Sequence, residues 1–124
     1  IEASLNELRE GQRAFFNVLD VAYWVSDEHG FCSYASPKLC ELMNRSAEEI
    51  RGNNWAAWLH PTDRHIFDDW MVSVKDNIIF DSNYSLRRTD GKYQKVNGFA
   101  SHMKDIEKRY IGSVGKMVKI GEPY

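Results

Sequence analysis

The chain has 124 residues, 43% of them hydrophobic, and a formal charge of -2 with acidic and basic residues interspersed. That length supports one domain with a proper core and not two. The charge pattern offers no footprint for nucleic acid or an anionic membrane surface, and no apolar run approaches the roughly 20 residues of a membrane span.

The sequence opens on Ile1 with no basic segment leading into an apolar signal core, so the expectation is a soluble piece of a longer chain. Cys32 and Cys40 are the only cysteines. Two thiols without metal-ligand spacing are not a disulfide framework, and they read as small buried hydrophobes in a reducing cytoplasm.

In chain order, Ile1, Leu5, Leu8, Gln12, Phe15 and Leu19 are separated alternately by four and three residues, a heptad seam. Two readings are open for this helix over 1–19. It packs on its own domain, or it pairs with a second copy to make a homodimer, with Gln12 setting register.

Val21 to Asp27 is aromatic and β-branched, Asp27-Glu28-His29-Gly30 makes a turn, and Phe31 to Ala35 resumes the strand pattern. Ser36-Pro37 opens a short helix that ends near Asn44. Ser46-Ala47-Glu48-Glu49 is a capping box, and the helix it starts stops at Gly52.

Trp55 to Trp70 organises the rest. A tryptophan-rich helical turn runs into His60-Pro61, where proline suits a first helical turn and Asp63 complements the helix dipole. From Asp63 onward Ile66, Phe67, Trp70, Met71 and Val74 form one apolar stripe, so the predicted helix covers a core. Ile78 to Ile120 holds three runs with strand character, the first two joined at Arg88-Thr89-Asp90-Gly91-Lys92, where Asp-Gly signals a two-residue hairpin. Residues 20–120 therefore read as one α+β domain, an antiparallel sheet with helices on one face, followed by a tail over 121–124.

From about Arg13 to Ile120 the chain resembles a PAS domain of the subtype common in bacterial sensor proteins. The resemblance rests on Val25-Ser26-Asp27 with Gly30, on Trp55 through His60-Pro61-Thr62-Asp63-Arg64, on Arg87-Arg88-Thr89-Asp90-Gly91-Lys92-Tyr93, and on Gly112-Ser113-Val114-Gly115. It implies a PAS fold, a five-stranded antiparallel sheet of order 2-1-5-4-3. It also implies sensing or dimerisation upstream of an output domain such as a histidine kinase or diguanylate cyclase. The place of action would be the cytoplasm, including the cytoplasmic part of a membrane-anchored sensor. Three departures from the family pattern stand out. Asn83 and Ser85 replace a frequent Glu and Arg, Lys95 replaces a frequent Trp, and Lys119-Ile120-Gly121 stands at the family's Asp-Ile-Thr output motif. Gly121 and Pro123 both oppose the signalling helix that normally continues there.

No cofactor is predicted. Haem-binding relatives place an axial His on the long helix, but His65 falls nearly opposite the apolar stripe, where it pairs with Asp68 or Asp69. A covalent flavin photocycle needs a Cys in the segment occupied here by Gly52-Asn53-Asn54-Trp55. None of His29, His60, His65 and His102 has metal or triad spacing, so neither catalysis nor a metal is predicted. What remains is a pocket between sheet and helices. Its candidate apolar lining is Trp58, Ile66, Trp70, Leu86, Val96 and Met117, with Tyr84, Asn97 and His102 as polar groups. Those three point inward only if the strand phase is right, since a slip of one residue inverts every side chain. The same aromatics also suit a filled core, in which case the domain serves dimerisation alone.

Overall fold

The computed structural model describes Ala14 and residues 21–124; the seam residues Ile1, Leu5, Leu8, Gln12, Phe15 and Leu19 lie outside them. Strands β1 (Tyr23–Ser26) and β2 (Cys32–Ala35) precede helices α1 (Pro37–Met43) and α2 (Ala47–Ile50). Two 3-10 turns, Asn54–Trp58 and Pro61–Asp63, lead into helix α3 (His65–Asp76), and β3 (Phe80–Arg87), β4 (Tyr93–Lys104) and β5 (Tyr110–Lys119) complete the chain. The five strands form one antiparallel sheet of order β2-β1-β5-β4-β3, as the family resemblance implied.

Local chemistry explains most boundaries. Ser36 caps α1 by accepting the Leu39 N–H at 3.1 Å, and it also accepts the Tyr23 N–H at 3.0 Å, which ties the helix start to β1. Asn44 ends α1 in the left-handed region at φ 51°, and the capping box at Ser46 and Glu49 is complete.

Three details differ from the expectation. The long helix begins at His65, because Pro61–Asp63 is a separate 3-10 turn whose first N–H, from Thr62, is taken by His60 Nδ1 at 3.1 Å. Asp63 does not serve the helix end; its carboxylate accepts the Ser85 N–H of β3 at 2.9 Å, while the His60 N–H donates to the Ser85 carbonyl at 2.9 Å. Together those bonds latch the helix entrance to the sheet. At the β3–β4 hairpin only Gly91 has positive φ, and the Gly91 N–H donates to the Arg88 carbonyl. The two-residue type I′ turn needs positive φ at both central residues, so Asp90-Gly91 belongs instead to a longer turn closed by a left-handed glycine.

The tail is also docked. Tyr124 exchanges both backbone hydrogen bonds with Tyr93 at 2.8 and 2.9 Å, and its hydroxyl lies 2.8 Å from Ser85 Oγ. The Gln94 side chain, 1% exposed, donates to the carbonyls of Lys95, Ile120 and Gly121 and holds the bend between β5 and this segment.

Candidate functional site

Strand register decides what faces the helices. Along β4, Gln94, Val96, Gly98 and Ala100 point to the helical face and are buried. Opposite them Tyr84 pairs with Val96, Met117 with Gly98, and Gly115 with both Ala100 and Trp24. Large rings therefore lie over glycines. A Cβ on Gly98 would collide with the Tyr84 hydroxyl, and a Cβ on Gly115 would fall inside the Trp24 indole. Without side chains at those two places, both rings lie flat against the sheet floor.

Above that floor is an apolar cavity with a free volume of about 40 Å³. A water needs roughly 10–15 Å³ on such a measure, so the space exceeds one solvent molecule. Trp24, Gly30 and Cys32 wall it on the β1–β2 side. Leu39, Met43, Ile50, Trp55 and Trp70 close it from the helices, and Phe80, Tyr84, Leu86 and Met117 from the sheet. No charged side chain lines it. Trp70 is its keystone: the Nε1–H donates to the Gly30 carbonyl at 2.9 Å, and the ring meets Trp24 and Phe80 edge-on at 5.0 and 5.4 Å.

Of the residues singled out in the sequence, Trp70, Tyr84, Leu86 and Met117 meet at this cavity. Ile66 and Val96 are buried in the core but do not line it. Trp58 is elsewhere: the Arg45 guanidinium stacks 3.5 Å above its ring, and its Nε1–H donates to the Glu49 carbonyl. Asn97 points away from the helices and donates to Asp81 and Asn83 at 2.9 Å each. His65 is exposed, its Nε2 4.0 Å from Asp69. Sequence reasoning missed the β1–β2 side and the α1–α2 helices. The available signal was the pair of strand glycines, which mark where rings press on the sheet.

His102 is not in the lining but stands behind it, its ring 5.5 Å from that of Trp70. Its Nε2 lies 2.9 Å from the Ile78 carbonyl and its Nδ1 2.6 Å from Ser113 Oγ. A carbonyl only accepts, so Nε2 carries hydrogen and neutral Nδ1 accepts from the Ser113 hydroxyl. Tyr110 then donates to Ser113, Ser26 donates to Tyr110, and Ser26 accepts the Ser113 N–H. Every bond in that chain points one way. Protonating His102 puts a second hydrogen between Nδ1 and Ser113 Oγ, so one hydroxyl hydrogen of the chain is left with no acceptor within it. Burial likewise holds the His102 pKa below its ordinary 6.5, against the opposing hydrogen bond to Ile78.

A folded-state pKa below the unfolded value gives stability that is complete above about pH 6.5 and is lost as pH falls through the depressed pKa. Urea midpoints measured from pH 7.5 to 5 should therefore fall more steeply in the wild-type domain than in His102→Gln. Equal slopes would assign the titration to another group. Ser113 is fully buried, so this serine–histidine contact presents no nucleophile to a substrate.

Burial favours the protonated form of both thiols. Burial pushes the Cys32 pKa up to about 11 and also raises that of Cys40. Among the described residues no group of three or more His, Cys, Asp or Glu side chains is placed to hold a metal. Haem finds no histidine in the lining. For flavin, the polar edge of the isoalloxazine ring needs several hydrogen-bond partners, and the lining side chains offer the Tyr84 hydroxyl, the Cys32 thiol and indole N–H groups only. On β4, the Gln94 amide has its donors committed to backbone carbonyls, while its buried Oε1 has no partner among the described residues.

Solved structures of similar shape share little sequence. One is the N-terminal domain of a diguanylate cyclase with PAS/PAC sensor from Marinobacter aquaeolei, with TM-score 0.74, 16% identity, and coverage of 80% of this chain and 94% of that one. A LOV protein from Rhodobacter sphaeroides has TM-score 0.78 and 15% identity, over 94% of this chain and 69% of that one. A sensory box histidine kinase/response regulator from Burkholderia thailandensis has TM-score 0.65 and 16% identity, over 85% and 80%. At such identities the likeness is one of fold. No curated protein sequence matches the chain. Residues 33–116, more than half of it, match the family model described as PAS fold. The chain belongs to the PAS fold family.

Proposed function

We propose that this domain is a non-enzymatic sensory module of a signal-transduction protein, and that the state of the Trp70 cavity is its input. The observation that carries this reading is an apolar space of about 40 Å³ walled by both helices and sheet, where a guest touches every layer of the fold. Relatives in shape that are described as sensors of a diguanylate cyclase and of a histidine kinase support an output of that kind. Two free thiols and the lack, among the described residues, of a helix long and apolar enough to cross a membrane accord with action in the cytoplasm.

The competing reading is a dimerisation module with a filled core, and the small size of the cavity favours it. In that reading the seam from Ile1 to Leu19 pairs two copies, which would remove about 25 cal/mol per Å² of apolar surface from water before association costs. Two experiments separate the readings. Native mass spectrometry with a thermal-shift screen of chemically diverse small molecules should find a bound mass or a compound that raises Tm. If neither appears, the sensory reading fails. Sedimentation of the intact domain, of Leu5→Glu with Leu8→Glu, and of a truncation beginning at Arg13 tests pairing, and one common species in all three rules it out.

A further inference from the structure

Trp70 closes a circuit of contacts that begins and ends at its own indole. The His102 ring lies 5.5 Å from it, and His102 Nδ1 accepts from Ser113, Ser113 from Tyr110 and Tyr110 from Ser26. Ser26 and Ser113 are the last pair of the β1–β5 ladder, and the Ser113 N–H donates to Ser26 Oγ at 2.9 Å. Ser26 leads directly into the Asp27–Gly30 turn, where the Gly30 N–H donates to the Asp27 carbonyl at 3.0 Å. The Gly30 carbonyl then takes the Trp70 Nε1–H at 2.9 Å. The indole ring therefore touches the titratable end of the chain, and its N–H hangs from the turn at the other end.

A proton on His102 breaks the one-way order of this chain. Nδ1 becomes a donor, Ser113 has to accept from it, and the hydrogen left over falls at the Ser26–Tyr110 end. Ser113 is fully buried and Ser26 is 3% exposed, so water does not meet that hydrogen at Ser26 while β1 and β5 stay paired. Parting them there relieves it, and that moves the turn carrying Gly30. Burial and the Ile78 hydrogen bond are the causes of the lowered His102 pKa, with no charged side chain among them. Tyr110 of β5 is a titratable group in ring contact with it, 5.8 Å away. On the other packed elements Lys75 and Asp76 of α3, Asp81 of β3 and Lys104 of β4 are exposed, and the Asp27 carboxylate accepts the N–H groups of His29 and Phe31.

We infer that a proton is a second input to this domain: its uptake at His102 is relayed through Ser113, Tyr110 and Ser26 to the β1–β2 turn and loosens the Trp70 indole in the cavity wall. The inference rests on the sensory reading and adds a regulator of the same site.

Two-dimensional 1H–15N spectra of the labelled domain from pH 7.5 to 5 test it, with the Trp70 indole signal identified by its absence from Trp70→Phe. In the wild-type domain that signal and the amides of Gly30 and Phe31 should move along one single-proton curve. Its midpoint should match that of the His102 ring and lie below about 6.5. The indole proton should move upfield, as a weakened hydrogen bond requires. The Trp58 indole, held by the Glu49 carbonyl outside the chain, should stay still. In His102→Gln all of these movements should vanish. Tyr110→Phe and Ser26→Ala each cut the chain beyond Ser113, so the imidazole should still titrate while the movement of the Gly30 and Phe31 amides falls by at least about twofold.

Turn amides and an indole that stay still while His102 titrates overturn the inference. Movements that survive His102→Gln assign the proton to another group and overturn it as well. Movements undiminished in both Tyr110→Phe and Ser26→Ala leave only the ring contact between His102 and Trp70, which refutes the relay. Each of these results leaves the sensory reading to the ligand screen above, which does not depend on His102.

Discussion

Trp70→Ala is expected to destabilise the domain by about 3–5 kcal/mol, a large share of the roughly 5–15 kcal/mol that a domain of this size has. Trp70 is 3% exposed and is the point where α3, the β1–β2 turn and the sheet meet. Its removal opens a cavity next to one that already exists, leaves the Gly30 carbonyl without its donor, and takes the edge-on partner from Trp24 and Phe80 and the tilted one from the His102 ring at once. Relaxation cannot fill the space cheaply, because the rings around it rest on a rigid sheet. Trp70→Phe separates the contributions: it keeps most of the ring contact, loses the indole hydrogen bond, and should cost about 1–3 kcal/mol. Denaturant melts read both values. A loss under about 1 kcal/mol for Trp70→Ala would mean that this ring does not hold the layers together.

Gly115→Ala has the second-largest expected effect, about 2–3 kcal/mol, and for the opposite reason. Here an atom is added. Gly115 pairs directly with Trp24, and a methyl group there would overlap the indole. The ring has to swing off the sheet, and the space open to it is the cavity, so the substitution both strains the fold and shrinks the site. The explanation is specific enough to be cycled. In a Trp24→Leu background the smaller side chain leaves room, and the added cost of Gly115→Ala should shrink by about 1 kcal/mol or more. Strict additivity of the two changes would show that the glycine is needed for some reason other than the ring above it.

The contrast between these two residues also explains what was legible in the sequence. Trp70 was readable because its neighbours recur at helical spacing, and the caps at Ser36, Asn44, Ser46 and Glu49 were readable because each acts within a few residues of itself. Element order and family followed from such local signals. The cavity did not, since it depends on which strand residues face each other across the sheet. Val96 and Asn97 are adjacent in sequence, yet one is fully buried and the other bonds Asp81 and Asn83 on the opposite face. Only the register of β4 against β3 and β5 fixes which is which. Cys32 is only partly buried, and nothing local in the sequence placed it in the cavity wall.

The tail is a similar case. Residues 121–124 are not helical, and the pairing of Tyr124 with Tyr93 is a contact across about thirty residues that propensity cannot show. The turn at Asp90-Gly91 was seen and its length misread, because the same dipeptide serves a two-residue turn and a longer one, and the difference is the sign of φ at Asp90.

The central claim is that an apolar space inside this PAS fold is real and receptive. A crystal of the domain pressurised with xenon tests it most directly, since xenon enters dry apolar cavities that water leaves empty. The account predicts one ordered xenon peak bordered by Leu39, Trp70 and Tyr84, reduced in Gly115→Ala as Trp24 moves inward. Absence of xenon there, with side chains of the lining closed onto one another, would contradict it and leave a filled core.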